Sequence, residues 1–204
     1  MTEAWPWAAL ITLGVYHGIN PAMGWLFAVA LGLQERRRVA VLRSLVPIAL
    51  GHEASVALVV GLVYMAQMVA AADVLRIVGA LALVVFGVYK LLKPRSHPRW
   101  VGMRVSLRDL VVWSFLMSSA HGAGLMLFPV VLGLTHNDID GFQPGLEGVA
   151  AVMLHTLAML VTMAAISLLV YDKLGVGVLR RAWLNLDAIW ATAIVAAGAV
   201  TLFT

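Results

Sequence analysis

The chain of 204 residues contains no cysteine and few charged residues. Without cysteine, neither a disulfide bond nor a thiolate metal ligand is available. Charged residues make up 12% of the sequence and hydrophobic residues 62%, and the mean hydropathy is +0.95. A soluble fold of this length does not need so much apolar surface, so the composition predicts an all-α, polytopic membrane protein.

Six apolar segments are long enough to cross the hydrocarbon core of a bilayer, which takes about 20 helical residues. They cover residues 7–33, 45–71, 74–92, 110–134, 146–171 and 184–203. The residues before the first segment lack a basic region and a small-residue cleavage site, so we expect this segment to be retained rather than removed as a signal peptide. The sequence therefore predicts six transmembrane helices.

The basic residues are unevenly distributed among the predicted loops. When the loops after the first, third and fifth segments are placed in the cytoplasm, that side holds 13 of the 14 basic residues, and only Arg76 lies outside. The thirteen are Arg36, Arg37, Arg38, Arg43, Lys90, Lys93, Arg95, Arg99, Arg104, Arg108, Lys173, Arg180 and Arg181. This predicts a multi-pass protein of the inner (plasma) membrane with both termini on the non-cytoplasmic side. Topology accounts for the net charge of +4, so the expected partner is the lipid bilayer and not nucleic acid.

The first and fourth segments share a sequence pattern. Residues 26–33 read LFAVALGL and residues 127–134 read LFPVVLGL, with six identities in eight positions and a His-Gly pair upstream of each, at His17 and His121. This pattern indicates an internal duplication. The predicted units are a first three-helix repeat over 1–93, a basic cytoplasmic linker over 94–109 and a second three-helix repeat over 110–204. Because each repeat has an odd number of helices, the second enters the membrane from the opposite side, which predicts inverted-topology repeats.

Four histidines lie well inside predicted membrane helices: His17, His52, His121 and His155. Inverted symmetry carries His17 onto His121 and His52 onto His155, so the four imidazoles are predicted to converge near the midplane. Burying polar side chains in lipid is unfavourable unless they have partners. Neutral imidazole is the commonest metal ligand and suits Fe, Cu, Zn, Ni and Co. The four histidines are therefore predicted metal ligands.

Two further residues are predicted to belong to this site. Glu53 is an acidic residue deep in an apolar stretch, and it offers an anionic metal ligand, an acceptor for the N–H of a ligand imidazole, or a proton carrier. Asn20 follows His17 by three residues, which places it on the same face of a continuous helix, and it is a candidate substrate-binding residue. Pro21 removes a backbone hydrogen bond, so we expect the first helix to be broken there. Broken helices at the midplane are where transporters bind their substrates.

This plan resembles the LysE-like transporter superfamily, which includes amino-acid exporters, nickel/cobalt transporters of the NicO and UreH type, and the CcdA electron carriers. The resemblance rests on two inverted three-helix units and on the stretch His17-Gly18-Ile19-Asn20-Pro21, which is similar to the first-helix histidine and proline of that group. It implies transport through a central site. The thiol electron transfer of CcdA-type proteins is excluded because the chain has no cysteine.

Two classes of function are favoured at this point, ahead of a non-catalytic subunit or assembly factor. The first is a transporter that moves a metal cation, or another small solute, by alternating access. The second is an integral membrane metalloenzyme or haem protein, in which the histidines hold an Fe, Cu or Zn centre or ligate haem. The sequence leaves open which metal is bound, whether the protein is an enzyme and whether it forms a homo-oligomer.

Overall fold

A computed structural model describes residues 4–93, 106–135, 144–174 and 186–203, and within these ranges the chain is helical with no strand. The helices in chain order are α1 (Trp5–Ile19), α2 (Trp25–Glu35), α3 (Arg38–Gln67), α4 (Ala72–Leu92), α5 (Leu107–His121), α6 (Ala123–Thr135), α7 (Pro144–Leu169) and α8 (Leu186–Phe203). A 3-10 turn (Pro21–Met23) joins α1 to α2, and a π-helical turn (Val170–Leu174) extends α7. The all-α class is confirmed for the described residues.

Three helical stretches are long and apolar enough to cross a membrane: Arg38–Gln67, Asp73–Leu92 and Gly148–Lys173. Helices α5 and α6 provide a fourth crossing if the two, which meet at an angle of 59°, form one bent span. Large apolar side chains cover the outer face of this helical body. Leu58 and Leu62 on α3, for example, are more than half exposed, as is typical of lipid-facing helices. The described residues thus contain three or four helices suited to cross a membrane, where the sequence predicts six.

The first predicted segment contains two helices with a break between them. Asn20 is in an extended conformation, as expected for a residue that precedes proline. Its Oδ1 accepts a hydrogen bond from the Ala22 N–H at 3.0 Å and so caps the 3-10 turn. Gly24 then adopts a φ of +113°, which residues with a Cβ rarely adopt. The break expected at Pro21 is confirmed.

The fourth predicted segment is also interrupted, by a shorter break. Helix α5 begins with a capping box between Ser106 and Asp109. In it, the side chain of each residue accepts a hydrogen bond from the backbone N–H of the other. It starts inside the predicted linker 94–109, of which residues 94–105 lie outside the described part of the chain. Helix α5 ends at His121, and Gly122 has a φ of +70° before α6 begins. A single left-handed glycine therefore turns the chain by 59° at this point.

Three helix pairs have the most extensive contacts: α4 with α8, α3 with α5, and α1 with α7. Glycines permit the close approach of α4 and α8. A Cβ on Gly87 would lie 2.6 Å from a methyl group of Val195, and one on Gly198 would lie 2.9 Å from the Ala80 carbonyl oxygen. At the start of α3, Arg38 forms an ion pair with Asp172 at 2.8 Å and Arg43 forms one with Glu35. These pairs tie α3 to the ends of α7 and α2.

Two apolar clusters occupy the interior along α3 and α7. The Trp25 cluster consists of Met23, Trp25, Ala28, Val29, Val41, Leu45, Ile48, Ala49, Leu110, Met159, Met163 and Val170. The Leu127 cluster consists of Leu10, Val56, Val60, Ala123, Leu127, Val130, Val131, Ala151 and Val152. The Trp25 cluster uses the part of α3 before His52 and the part of α7 after His155, whereas the Leu127 cluster uses the opposite parts. The two histidines therefore lie at the boundary between the clusters.

Candidate metal centre

His17 lies in the last turn of α1, directly before the break, and is fully buried. Its Nδ1 lies 2.7 Å from the carbonyl oxygen of Leu13, one turn earlier. Because a carbonyl oxygen only accepts hydrogen bonds, Nδ1 carries the proton, and the lone pair of the neutral ring is on Nε2. The helix backbone therefore fixes which nitrogen of His17 is a ligand atom.

His52 and His155 are also fully buried and come from two other helices, α3 and α7. The Nδ1–H of His155 donates to the Leu10 carbonyl oxygen on α1 at 3.2 Å. Its Nε2, which carries no proton in this tautomer, accepts a hydrogen bond from the Nε2–H of His52 at 3.4 Å. The Nδ1 of His52 is buried and makes no hydrogen bond with another protein group. Backbone carbonyls that hold ligand histidines by their second nitrogen are a common feature of metal sites.

The three imidazoles form one compact group. The ring of His17 packs edge-on against the other two, with centroid distances of 5.2 Å to His52 and 4.9 Å to His155. The rings of His52 and His155 are nearly parallel, at 19°. One ring nitrogen from each residue lies within 4.8 Å of the others, and within the described ranges this is the one such group of three or more His, Asp or Glu side chains. We call these residues the histidine triad.

Close helix packing brings the triad together. A Cβ on Gly14 would lie 2.4 Å from the carbonyl oxygen of His155, and one on Gly18 would lie 2.6 Å from that of Met159. Helix α1 can therefore approach the backbone of α7 directly on both sides of His17. On α3, a Cβ on Gly51 would lie 2.2 Å from the Val111 carbonyl oxygen of α5. Small residues of this kind allow helix backbones to pack closely in membranes.

The geometry of the triad suits a transition-metal ion. Histidine nitrogens bind zinc at about 2.0–2.1 Å, which in a tetrahedral site places neighbouring ligand nitrogens about 3.4 Å apart. The separation of the His52 and His155 Nε2 atoms is 3.4 Å. The three buried histidines can thus hold a metal ion directly.

The ligand set is electrically neutral, and this bears on how it would hold a cation. No carboxylate belongs to the described triad. A divalent ion bound by three imidazoles keeps its charge in a water-poor interior, where uncompensated charge is costly. Such a site can select imidazole-binding ions without holding them as tightly as a site with anionic ligands does.

The structure does not place all the predicted ligands in the triad. His121 is buried at the end of α5, and its Nδ1–H donates to the Met117 carbonyl oxygen at 2.8 Å, but its nitrogens are outside the group. Glu53 is also outside the group. It lines a cavity of about 290 Å³ between α3 and α7, together with Ala57, Val60, Gly61, Tyr64, Gly148, Val149, Val152 and Met153.

Asn20 is buried just after α1, the helix that carries His17. Its side-chain oxygen already accepts a hydrogen bond from a backbone N–H of the break, that of Ala22. The expectation that Asn20 shares a helix face with His17 assumed a continuous helix. That premise does not hold, since α1 ends at Ile19. The indole of Trp25 donates to the Ile19 carbonyl oxygen at 3.1 Å and so satisfies part of the same helix end. The local role of Asn20 is therefore that of a cap.

Two buried hydroxyls near the histidines were not anticipated from the sequence. The Oγ1 of Thr156, beside His155, and the Oγ of Ser118, one turn before His121, are buried without a hydrogen bond to another protein group. The sequence offered one signal for them, their spacing from the histidines: Thr156 follows His155 directly, and Ser118 precedes His121 by three residues. Both add polar atoms to the interior close to the predicted ligands.

Comparison with known proteins finds no counterpart for this arrangement. No family model matches the chain, and no curated protein or solved structure matches it. The residues of the triad and the helices that carry them are thus the basis for a functional assignment.

Proposed function

We propose that the chain is an integral membrane transporter that moves a divalent transition-metal cation through the histidine triad by alternating access. The observation that carries this proposal is the convergence of three buried imidazoles from three helices at the broken end of α1. Broken helices provide substrate sites in secondary transporters because their ends expose polar groups at the midplane. A neutral ligand set also favours release of the ion, which a transporter requires.

The proposal includes six spans arranged as two inverted repeats, with α1–α2, α3 and α4 equivalent to α5–α6, α7 and α8. If each helix is replaced by its equivalent in the other repeat, the α3–α5 pair becomes the α7–α1 pair and the α4–α8 pair stays the same. These are the three helix pairs with the most extensive contacts. The same exchange converts the helix segments of the Trp25 cluster into those of the Leu127 cluster. These correspondences support the duplication. The proposal also includes a LysE-like relationship and a place in the plasma membrane with both termini outside the cytoplasm, for which the sequence pattern and the distribution of basic residues are the support.

The one-sided position of the cavity supports alternating access. The cavity lies between the parts of α3 and α7 that contribute to the Leu127 cluster. In the proposed second repeat, the equivalents of Ala57, Val60 and Gly61 are the bulkier Leu160, Met163 and Ala164, which belong to the Trp25 cluster or pack against it. A transporter caught with one side closed would have this asymmetry.

The second candidate is a membrane metalloenzyme with a resident ion at the triad. The observation in its favour is the pre-set orientation of His17 and His155 by backbone carbonyls, together with the 3.4 Å separation of two ligand nitrogens. Catalytic zinc sites use three protein ligands and leave a fourth position open for water or substrate. The two candidates share the ligands and differ in whether the ion exchanges.

Zinc uptake and zinc exchange separate the two candidates. The purified chain would be reconstituted into liposomes that contain a zinc-sensitive dye, and the retention of zinc by the detergent-purified protein would be measured after dialysis against a chelator. We expect zinc-dependent dye fluorescence and a protein that loses its zinc reversibly. Retention of about one ion per chain without uptake would overturn the transporter proposal and favour the enzyme. The matched control is His97→Ala, at a histidine that the sequence predicts in a loop, and it should leave uptake unchanged.

A further inference from the structure

The two histidines that precede the helix breaks have the same local structure but different neighbours. His17 lies in the last turn of α1 and His121 is the last residue of α5. Each is buried, and each donates from Nδ1 to the carbonyl oxygen four residues earlier, at 2.7 Å and 2.8 Å. Both rings therefore present Nε2 as the ligand atom. Of the two, His17 belongs to the histidine triad and His121 does not.

Exchange of the proposed repeats gives His121 a specific place. The exchange carries His17 to His121 and interchanges His52 with His155. It therefore converts the triad into a second set of three, made of His121, His52 and His155. Inverted-repeat transporters change the side on which they open largely by rocking one repeat against the other around a fixed site. The state opposite to the one in this structure would then have the second set assembled.

We infer that the ion is handed from His17 to His121 when the protein changes the side on which it opens, while His52 and His155 remain bound to it throughout. This inference rests on the proposed transport function and adds to it a second metal site. Exchanging one imidazole ligand for another keeps the number of ligands at three. The ion then crosses the midplane without a step in which its coordination is lost, which would be costly in a water-poor interior.

Binding and uptake of zinc by four single variants test the handover. Variants His52→Ala and His155→Ala remove a ligand from both sets, so both zinc affinity and uptake should fall at least about tenfold. Variants His17→Ala and His121→Ala each leave one complete set. Each should hold one zinc ion with an affinity near that of the wild type, yet lose uptake at least about tenfold. Retained binding also shows that these two variants are folded.

The outcomes distinguish this inference from the proposal on which it rests. Wild-type uptake by His121→Ala would overturn the handover and leave the transporter proposal in place. Loss of binding in His17→Ala equal to that in His52→Ala would overturn it too, because no second set would then form. Absence of zinc uptake by the wild-type protein would overturn the transporter proposal itself.

A thiol reporter provides an independent measurement, since the chain has no cysteine of its own. Ala57 lines the cavity, whereas Leu160, its equivalent in the other repeat, packs against the Trp25 cluster. At saturating zinc, the His121→Ala variant can form only the histidine triad of this structure. The His17→Ala variant can form only the second set. A membrane-impermeant maleimide should label Ala57→Cys faster in the His121→Ala background, and Leu160→Cys faster in the His17→Ala background. Equal rates in the two backgrounds would contradict the two-state handover.

Discussion

The two broken helices carry the same His-Gly pair but end differently. The break after α1 takes five residues, with an Asn20 cap and a 3-10 turn, and Gly24 restarts the helix at a φ of +113°. The break after α5 takes one residue, Gly122. His17 belongs to the triad and His121 lies outside it. A shared motif therefore fixes the hydrogen bond and orientation of each imidazole, whereas the packing of its helix decides which neighbours it meets.

The packing partners of the two breaks explain this difference. Around His17, Gly14 and Gly18 allow α1 to lie against the α7 backbone, which carries His155. Around His121, a Cβ on Gly122 would lie 2.8 Å from the ring of Phe86 on α4. The first break is thus held against a ligand-bearing helix, and the second against an apolar side chain. Substitutions at each of these contacts test whether packing decides which histidine joins the triad.

The largest effect is expected from Gly14→Ala. Its new Cβ would lie 2.4 Å from the His155 carbonyl oxygen and 2.8 Å from the Cβ of Ala158, so α1 and α7 must separate. Overpacking of this kind costs about 1–3 kcal/mol of unfolding free energy. Because the shift moves His17 away from His155, zinc affinity should fall at least about tenfold. Thermal unfolding in detergent and zinc titration measure the two effects.

Gly61→Ala is the matched control for this substitution. Gly61 is also a helical glycine, on α3, but a Cβ there would meet no other atom within 4 Å. Replacing glycine by alanine in a helix stabilises it by about 1 kcal/mol, and zinc affinity should not change. If Gly14→Ala bound zinc as tightly as Gly61→Ala, close packing of α1 on α7 would not be what assembles the triad.

An intermediate effect is expected from alanine at the two glycines that end the breaks. Gly24 has a φ of +113°, outside the left-handed helical region, whereas Gly122 has a φ of +70°, within it. Gly24→Ala should therefore cost about 1–3 kcal/mol and lower the melting temperature more than Gly122→Ala does. Gly122→Asn should recover part of its loss, since asparagine tolerates this region. The opposite order of melting temperatures would show that the Phe86 contact outweighs backbone conformation.

Much of the helical plan could be predicted from the sequence, because it depends on local features. Apolar runs indicate helices, and the proline at Pro21 forces the preceding residue out of the helical conformation, so the first break was predictable. The repeated sequence pattern also predicted that His52 and His155 would meet, and their two Nε2 atoms lie 3.4 Å apart. These conclusions needed the order of residues and no knowledge of packing.

The composition of the triad could not be predicted in full, because it depends on helix rotation. Glu53 follows His52 directly, and successive side chains on a helix point about 100° apart. The two therefore face different neighbours: His52 faces the triad, and Glu53 faces the cavity. Nothing in the spacing says which of them turns inward. That choice is made by contacts such as Gly51 against the Val111 carbonyl, which set the rotation of α3.

The smallest effect is expected at Asn20, where the structural role and the predicted substrate-binding role can be separated. Asn20→Ala removes the acceptor for the Ala22 N–H, and losing such a cap costs about 1 kcal/mol. Asn20→Ser keeps an acceptor and should retain most of the stability. Since the side-chain oxygen already serves the turn, both variants should bind zinc as the wild type does. A tenfold loss of affinity in Asn20→Ser with an unchanged melting temperature would instead make Asn20 a ligand, and the first break would then supply two groups to the ion where the second supplies one.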